Sequence, residues 1–237
     1  MIKEFKDESF YKLADRGGKL LLENMKFERC EFTSCIISLT ADVDRMSTVR
    51  NVTLDDCYAN GCLTGPMILS NITINNLKTN DLLLVWSPYF DRVTLSGEIG
   101  KMKINRTAAP STHNKPTQKP FEDFRNQFYA NVEWALDISK ARFKEFDLES
   151  VPAHLVRRDP ESQIVVKRER ALEIATPGWE AQLDPSNKLW PFVVNLFLGD
   201  GDPDIVLIAP LGAAKAKRDP LLKGLQELRR IGLAEPD

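Results

Sequence analysis

The chain has 237 residues, 43% apolar and 28% charged, enough for one or two compact domains with a real core. Its net charge of −2 leaves no global field to recruit nucleic acid or an anionic membrane. No apolar stretch reaches transmembrane length, because the best run, Leu189 to Leu198, is broken by Pro191 and Asn195.

The opening, MIKEFKDESF, is charged from the start and has no apolar signal core, so a cytoplasmic location is expected. Residues 1–19 are read as an N-terminal capping helix. Over SFYKLADR (9–16), Ser9 is the N-cap, Phe10, Leu13 and Ala14 share a face, and Gly17-Gly18 is the stop.

Residues 20–106 carry a repeat of the form apolar-x-x-apolar-x-apolar. Its copies are FERCEF (27–32), VRNVTL (49–54), LSNITI (69–74) and FDRVTL (90–95), with starts 22, 20 and 21 residues apart. Stacked, they give three apolar columns: Phe27, Val49, Leu69, Phe90; Cys30, Val52, Ile72, Val93; and Phe32, Leu54, Ile74, Leu95. An apolar-x-apolar triplet is strand alternation, and so short a strand is stable only when paired with its copies above and below. These residues are therefore expected to form stacked β-helical coils. The repeat also generates the sequons at Asn51, Asn71 and Asn105. Cysteines 30, 35, 57 and 62 fall in two pairs five residues apart. Zinc and a disulfide framework are competing readings, but neither spacing is a tight metal grip, and the columns account for the cysteines as small buried hydrophobes. In this reading Cys35 and Cys57 share a column with Leu77.

Residues 107–120, with three prolines and three threonines, read as an exposed loop, and Phe121, Phe124 and Phe128 suggest a brief helix after it. From Leu136 the apolar positions are 136, 138, 141, 143, 146, 148 and 151, a period of five that no helix has. Four five-residue faces make a square coil, and residues 121–158 are assigned to it. ALDISKARFKEFDLES and FERCEFTSCII resemble the pentapeptide-repeat proteins. That resemblance implies a right-handed quadrilateral β-helix with an apolar residue pointing inward at the centre of each five. It leaves function open, because the family's functions are diverse.

Residues 159–237 change character. Strands are expected at Gln163 to Lys167 and within DIVLIAP (204–210), and a helix or strand over Leu189 to Leu198. A helix is expected over 219–232, with Asp219 capping, Pro220 in the first turn and Gly232 ending it. The expected fold is mainly β: a short right-handed quadrilateral β-helix with a small C-terminal α/β unit.

Catalytic chemistry is thinly supplied. There are two histidines, His113 and His154, and no nucleophile elbow, zinc-protease or phosphate-loop sequence. Asp200-Gly-Asp202-Pro-Asp204 lacks the glycine and glutamate of a calcium loop and reads as a solvated turn. The basic knots Arg157-Arg158 and Lys215, Lys217, Arg218 have the chemistry to grip phosphate or a partner's carboxylates, with a solvated loop as the preferred reading. Fourteen basic and fourteen acidic residues over 1–107 argue against a nucleic-acid mimic. No cofactor or metal is expected. The function expected is non-catalytic protein binding, for example by an inhibitor or immunity-type protein. The alternatives are a structural or assembly subunit and a carbohydrate-active β-helix enzyme. The contact surface is placed at Arg157, Arg158, Trp179 and Trp190, since arginine and tryptophan dominate hot spots and pockets favour domain junctions; the competing reading is that both tryptophans fill the core between the domains.

Overall fold

A computed structural model describes residues 1–108, 115–149 and 151–235. The protein is mainly β, built on a curled parallel sheet with a few helices. The chain runs through short strands in successive passes. The first pass holds β1 (Lys3–Lys6) and β2 (Ser9–Tyr11); the second β3 (Leu21–Glu28), β4 (Glu31–Thr33) and β5 (Ile36–Ile37). The third holds β6 (Ser47–Asp55), β7 (Tyr58–Asn60) and β8 (Leu63–Thr64), and the fourth β9 (Met67–Asn75), β10 (Lys78–Thr79) and β11 (Leu83–Trp86). A long bent strand, β12 (Pro88–Asn105), follows, then β13 (Leu136–Leu148) and β14 (Val156–Arg157). The main sheet has the order β1-β3-β6-β9-β12-β11-β8-β5, with β13 and β14 continuing from β12. It curls because the first part of β12 pairs with β9 and its last part with β11. A second sheet runs β10-β7-β4-β2, and every pair in both sheets is parallel.

The expected columns hold for three of the four copies and are corrected for the first. Val49, Leu69 and Phe90 are in register, as are Val52, Ile72 and Val93, and Leu54, Ile74 and Leu95. Their second-pass partners are Leu22, Met25 and Phe27, not Phe27, Cys30 and Phe32. The shift is five residues. A pattern that recurs at five can slide by one unit and still present apolar residues, so the sequence pattern cannot detect the slip. The inserted turn Val43–Arg45 between passes hides it further. The cysteine columns change with it: Tyr58 pairs with Glu31 on one side and Lys78 on the other, which sets Cys30 beside Cys57 and Leu77. Ile36 pairs with Leu63, which sets Cys35 beside Cys62. All four thiols are free, and burial pushes those of Cys57 and Cys62 upward.

Left-handed backbone bends the chain within and between strands, spaced five residues apart along most of each pass, with Ser38, four residues after Ser34, off that spacing. Positive φ occurs at Asp7, Lys12 and Gly17; at Lys19, Asn24, Arg29 and Ser34; at Asn51, Asp56 and Gly61; at Asn71 and Asn76; and at Ser87, Arg92 and Gly97. For a residue with a Cβ this conformation costs roughly 1–2 kcal/mol, and asparagine tolerates it best. The stack supplies compensation. Asn51 donates to Asn24 Oδ1 at 3.1 Å, Asn71 to Asn51 Oδ1 at 3.2 Å, and Arg92 Nε to Asn71 Oδ1 at 2.7 Å, forming a side-chain ladder up one edge. In the next column the backbone N–H groups of Asp7, Arg29, Asp56 and Asn76 donate to the adjacent pass at 2.9–3.0 Å.

The N-terminal capping helix expected over 1–19 is absent; those residues form β1 and β2, the first pass of the ladder. Phe10, in β2, stacks on Phe32 at 5.1 Å, so its partner lies in the next pass rather than along a helix face. Of the loop expected over 107–120, residues 109–114 lie outside the described residues, as does His113. Its last part belongs instead to α1 (Lys115–Tyr129), which also takes the start of the coil assigned to 121–158. Phe121 is buried and Tyr89 donates its hydroxyl to the Phe121 carbonyl at 3.0 Å, so aromatic packing against β12 extends the brief helix.

The C-terminal unit has an antiparallel pair, β15 (Gln163–Lys167) and β16 (Asp204–Ile208), with α2 (Arg168–Ile174), α3 (Leu189–Asp200) and α4 (Lys215–Arg230). Strand alternation makes this pair a partition. Val165, Val206 and Ile208 face the main core, and Ile164, Val166 and Leu207 face the helices. Gln163 donates to the Ile138 carbonyl at 3.0 Å and the Gly212 N–H to the Phe143 carbonyl at 2.8 Å. A Cβ on Gly212 would lie 2.5 Å from the Arg142 carbonyl, so only glycine allows that approach. The final helix starts one turn earlier than expected, which places Lys215, Lys217 and Arg218 inside it. Lys217 pairs with Glu145 at 3.4 Å and Arg218 with Asp219 at 3.0 Å. Asp202 pairs with Arg106 and Asp204 accepts from the Ala153 N–H at 3.0 Å, so the acidic turn fastens the unit to the sheet. No helix among the described residues is long and apolar enough to cross a membrane.

Candidate functional site

The four residues expected to form a contact surface do not gather as one. Trp179 and Trp190 are 3% and 4% exposed and belong to the core between β15–β16 and the helices. Trp190 donates its indole N–H to the Leu221 carbonyl at 2.9 Å, tying α3 to α4, and Trp179 donates to Asn195 at 3.4 Å. A buried tryptophan with its one donor engaged is a packing residue, so both are withdrawn from the surface. Arg157, at the end of β14, is exposed and stacks over Trp134 at 4.2 Å, while Arg158 donates to the Gln163 carbonyl at 3.0 Å. These arginines hold the end of the ladder.

The surface that stands out lies on the other side of the helix that carries Trp190. The α3 sequence, LWPFVVNLFLGD, carries apolar residues on both its sides, with Asn195 as the one polar residue before its last turn, which marks a helix either wholly buried or with a second face in use. Trp190, Pro191, Val194 and Phe197 point inward and are buried. Leu189, Phe192 and Leu196 point outward and are 43%, 60% and 52% exposed. Their spacing, i, i+3 and i+7, puts them in one stripe along the helix. Asn195 and Gly199 lie exposed on the same side, and Lys188 and Asp200 stand at the two ends. Arg168 of α2 caps the helix, donating to the carbonyls of Phe197 and Leu198 at 3.1 and 2.9 Å, so the stripe sits on a fixed frame. Leu172, four residues along α2 from Arg168 and 60% exposed, adds a further apolar side chain on that side of α2. Sequence reasoning missed the stripe because it used the tryptophan in this segment and ignored the leucines and phenylalanine around it. The apolar run on both sides of the helix was the available signal.

Polar chemistry elsewhere is self-contained. A cleft of about 270 Å³ is lined by Asp184, Asn187, Lys223 and Glu227, with Asp184 paired to Lys223 at 2.6 Å. The Lys223 ammonium, with the Ser186 N–H and hydroxyl, holds the Asp184 carboxyl well below the usual carboxylate range. A second of about 760 Å³ contains the pairs Arg170–Glu173 and Lys167–Glu235 at 2.8 and 2.7 Å. Arg125 is buried beside Tyr89 and donates to Ser87 Oγ at 2.9 Å and the Arg106 carbonyl at 2.7 Å. Burial pushes the Tyr89 and Tyr129 hydroxyls upward, so neither is poised to give or take a proton near neutrality. His154 is exposed in a short turn. Among the described residues no three His, Cys, Asp or Glu side chains gather where they could hold a metal ion. No protein-family model, no curated protein and no solved structure matches this chain.

Proposed function

We propose that this chain is a non-catalytic protein-binding module that engages its partner through the outer face of α3. The observation that carries the reading is the stripe Leu189, Phe192 and Leu196, left to solvent on a helix whose other side already fills a core. Apolar anchors ringed by polar groups are the anatomy of a protein interface. Burying the three would contribute roughly 3 kcal/mol, a hundredfold or more in affinity. An inhibitor or immunity-type protein is the version in which the partner is an enzyme or toxin; a structural subunit is the version in which it is a scaffold.

The scaffold behind this face is, in this reading, a right-handed quadrilateral β-helix of the pentapeptide-repeat kind. Left-handed bends five residues apart along most of each pass and parallel in-register passes support it.

A triple variant, Leu189→Ser/Phe192→Ser/Leu196→Ser, tests the contact face. The exposed positions leave the fold intact, seen as an unchanged circular dichroism spectrum. Wild type should recover a discrete partner from native lysate, lost with the triple variant. Equal recovery by both would remove α3 from the interface.

A further inference from the structure

The two ends of the ladder are treated differently. At the far end, β13 and β14 lie beneath the C-terminal unit, and Val165, Val206 and Ile208 cover their side chains. At the near end, among the described residues, nothing pairs with β1 or β2 beyond β3 and β4, and each is the last strand of its sheet. An open edge is a template for another strand. Around it, Ile2, Tyr11, Leu13 and Leu21 are each more than half exposed.

We infer that this near edge is the interface of a two-fold homodimer, with β1 paired antiparallel to β1 of a second copy about Phe5. Which backbone groups are free follows from the hydrogen bonds present. The Asp7 N–H donates to the Glu28 carbonyl, so the odd-numbered residues direct their backbone groups to β3. The N–H and C=O of Glu4 and Lys6 therefore face outward. Antiparallel pairing must match even-numbered residues, and three registers do so. Glu4 opposite Glu4, or Lys6 opposite Lys6, sets like charges face to face. The register centred on Phe5 sets Glu4 against Lys6 of the second copy, twice by symmetry, and Lys3 against its Asp7.

The inner face agrees. Phe5 stacks on Phe27 at 4.9 Å and meets the edge of Phe10 at 5.5 Å, and the Lys3 ammonium lies 4.9 Å from its ring centre, on an exposed side chain that can turn to the Asp7 of a second copy. In the Phe5-centred register the two Phe5 rings meet and extend this aromatic column across the two-fold axis. The capped far end selects a dimer rather than a fibre: a near edge can meet only another near edge, and an isologous contact closes on itself.

Charge reversal tests the register directly, with sedimentation equilibrium reading the mass of the full chain at micromolar concentration. Glu4 and Lys6 are exposed, and the pair Lys6 makes with Glu28 at 3.2 Å is a surface contact of small worth, so each variant keeps the fold. Wild type should have twice the chain mass. Glu4→Lys and Lys6→Glu each replace two opposite-charge contacts with two like ones and should weaken the dimer by about tenfold or more. The double swap Glu4→Lys/Lys6→Glu restores both contacts and should restore the dimer. A monomeric wild type would overturn the inference and leave the edge to a strand of another protein. Single variants as tight as wild type, or a double swap that stays monomeric, would overturn it as well.

Discussion

Asp15 shows how single residues hold the turn between passes. It is 8% exposed, and its carboxylate accepts from the Gly18 N–H at 2.7 Å, the Ser47 hydroxyl at 2.6 Å and the Ser38 N–H at 3.1 Å. Three donors on one buried acid leave little for a ligand. The buried tyrosines make a similar post between β12 and α1. The Phe90 N–H donates to the Tyr129 hydroxyl at 3.3 Å, and burial raises the pKa of both Tyr89 and Tyr129 above the ordinary value of about 10. In the unfolded chain these hydroxyls release their protons more readily than in the fold. Their contribution to stability is therefore complete below about pH 10 and falls as pH rises beyond it. An alkaline titration following phenolate absorbance and circular dichroism together should show these two ionising only as the fold is lost. A Tyr89→Phe/Tyr129→Phe variant should lack that late phase; its persistence would contradict the assignment.

The ladder is an arrangement of elements, and its register can be tested one strand at a time. Ile72 of β9 is 3% exposed between Val52 and Val93, while the neighbouring Thr73 faces solvent. Ile72→Ala should cost about 2–5 kcal/mol and Thr73→Ala no more than about 0.5 kcal/mol. Equal denaturation midpoints for the two would place the strand in the wrong register. Periodicity made the period, the interior columns and the C-terminal strands legible in the sequence. It could not tell Phe27 from Leu22 as the start of the second pass, because the repeat is degenerate under a five-residue slide. It also misjudged the first nineteen residues, where spacing that suits one helical face suits short successive strands equally well. Trp179 and Trp190 follow the core-packing reading rather than the surface one, because residue type alone does not tell an inward-facing ring from an outward one. On α3 the two sides differ by a rotation that only the packing fixes.

At the scale of the whole molecule, the C-terminal unit has two jobs on two sides. The inner face of β15–β16 closes the ladder, and its outer face seats the helices, of which α3 turns an apolar stripe to solvent. The partner face proposed on α3 and the pairing proposed at the near edge lie on separate surfaces, so the two proposals do not compete. Site-specific photocrosslinking within cells tests the binding face most directly, with a photoreactive side chain in place of Phe192 and, separately, in place of the exposed sheet residue Thr73. The expected result is one discrete protein adduct from position 192 and none of that mass from position 73. The same adduct from both positions, or none from 192, would contradict the claim that the outer face of α3 is where this protein meets its partner.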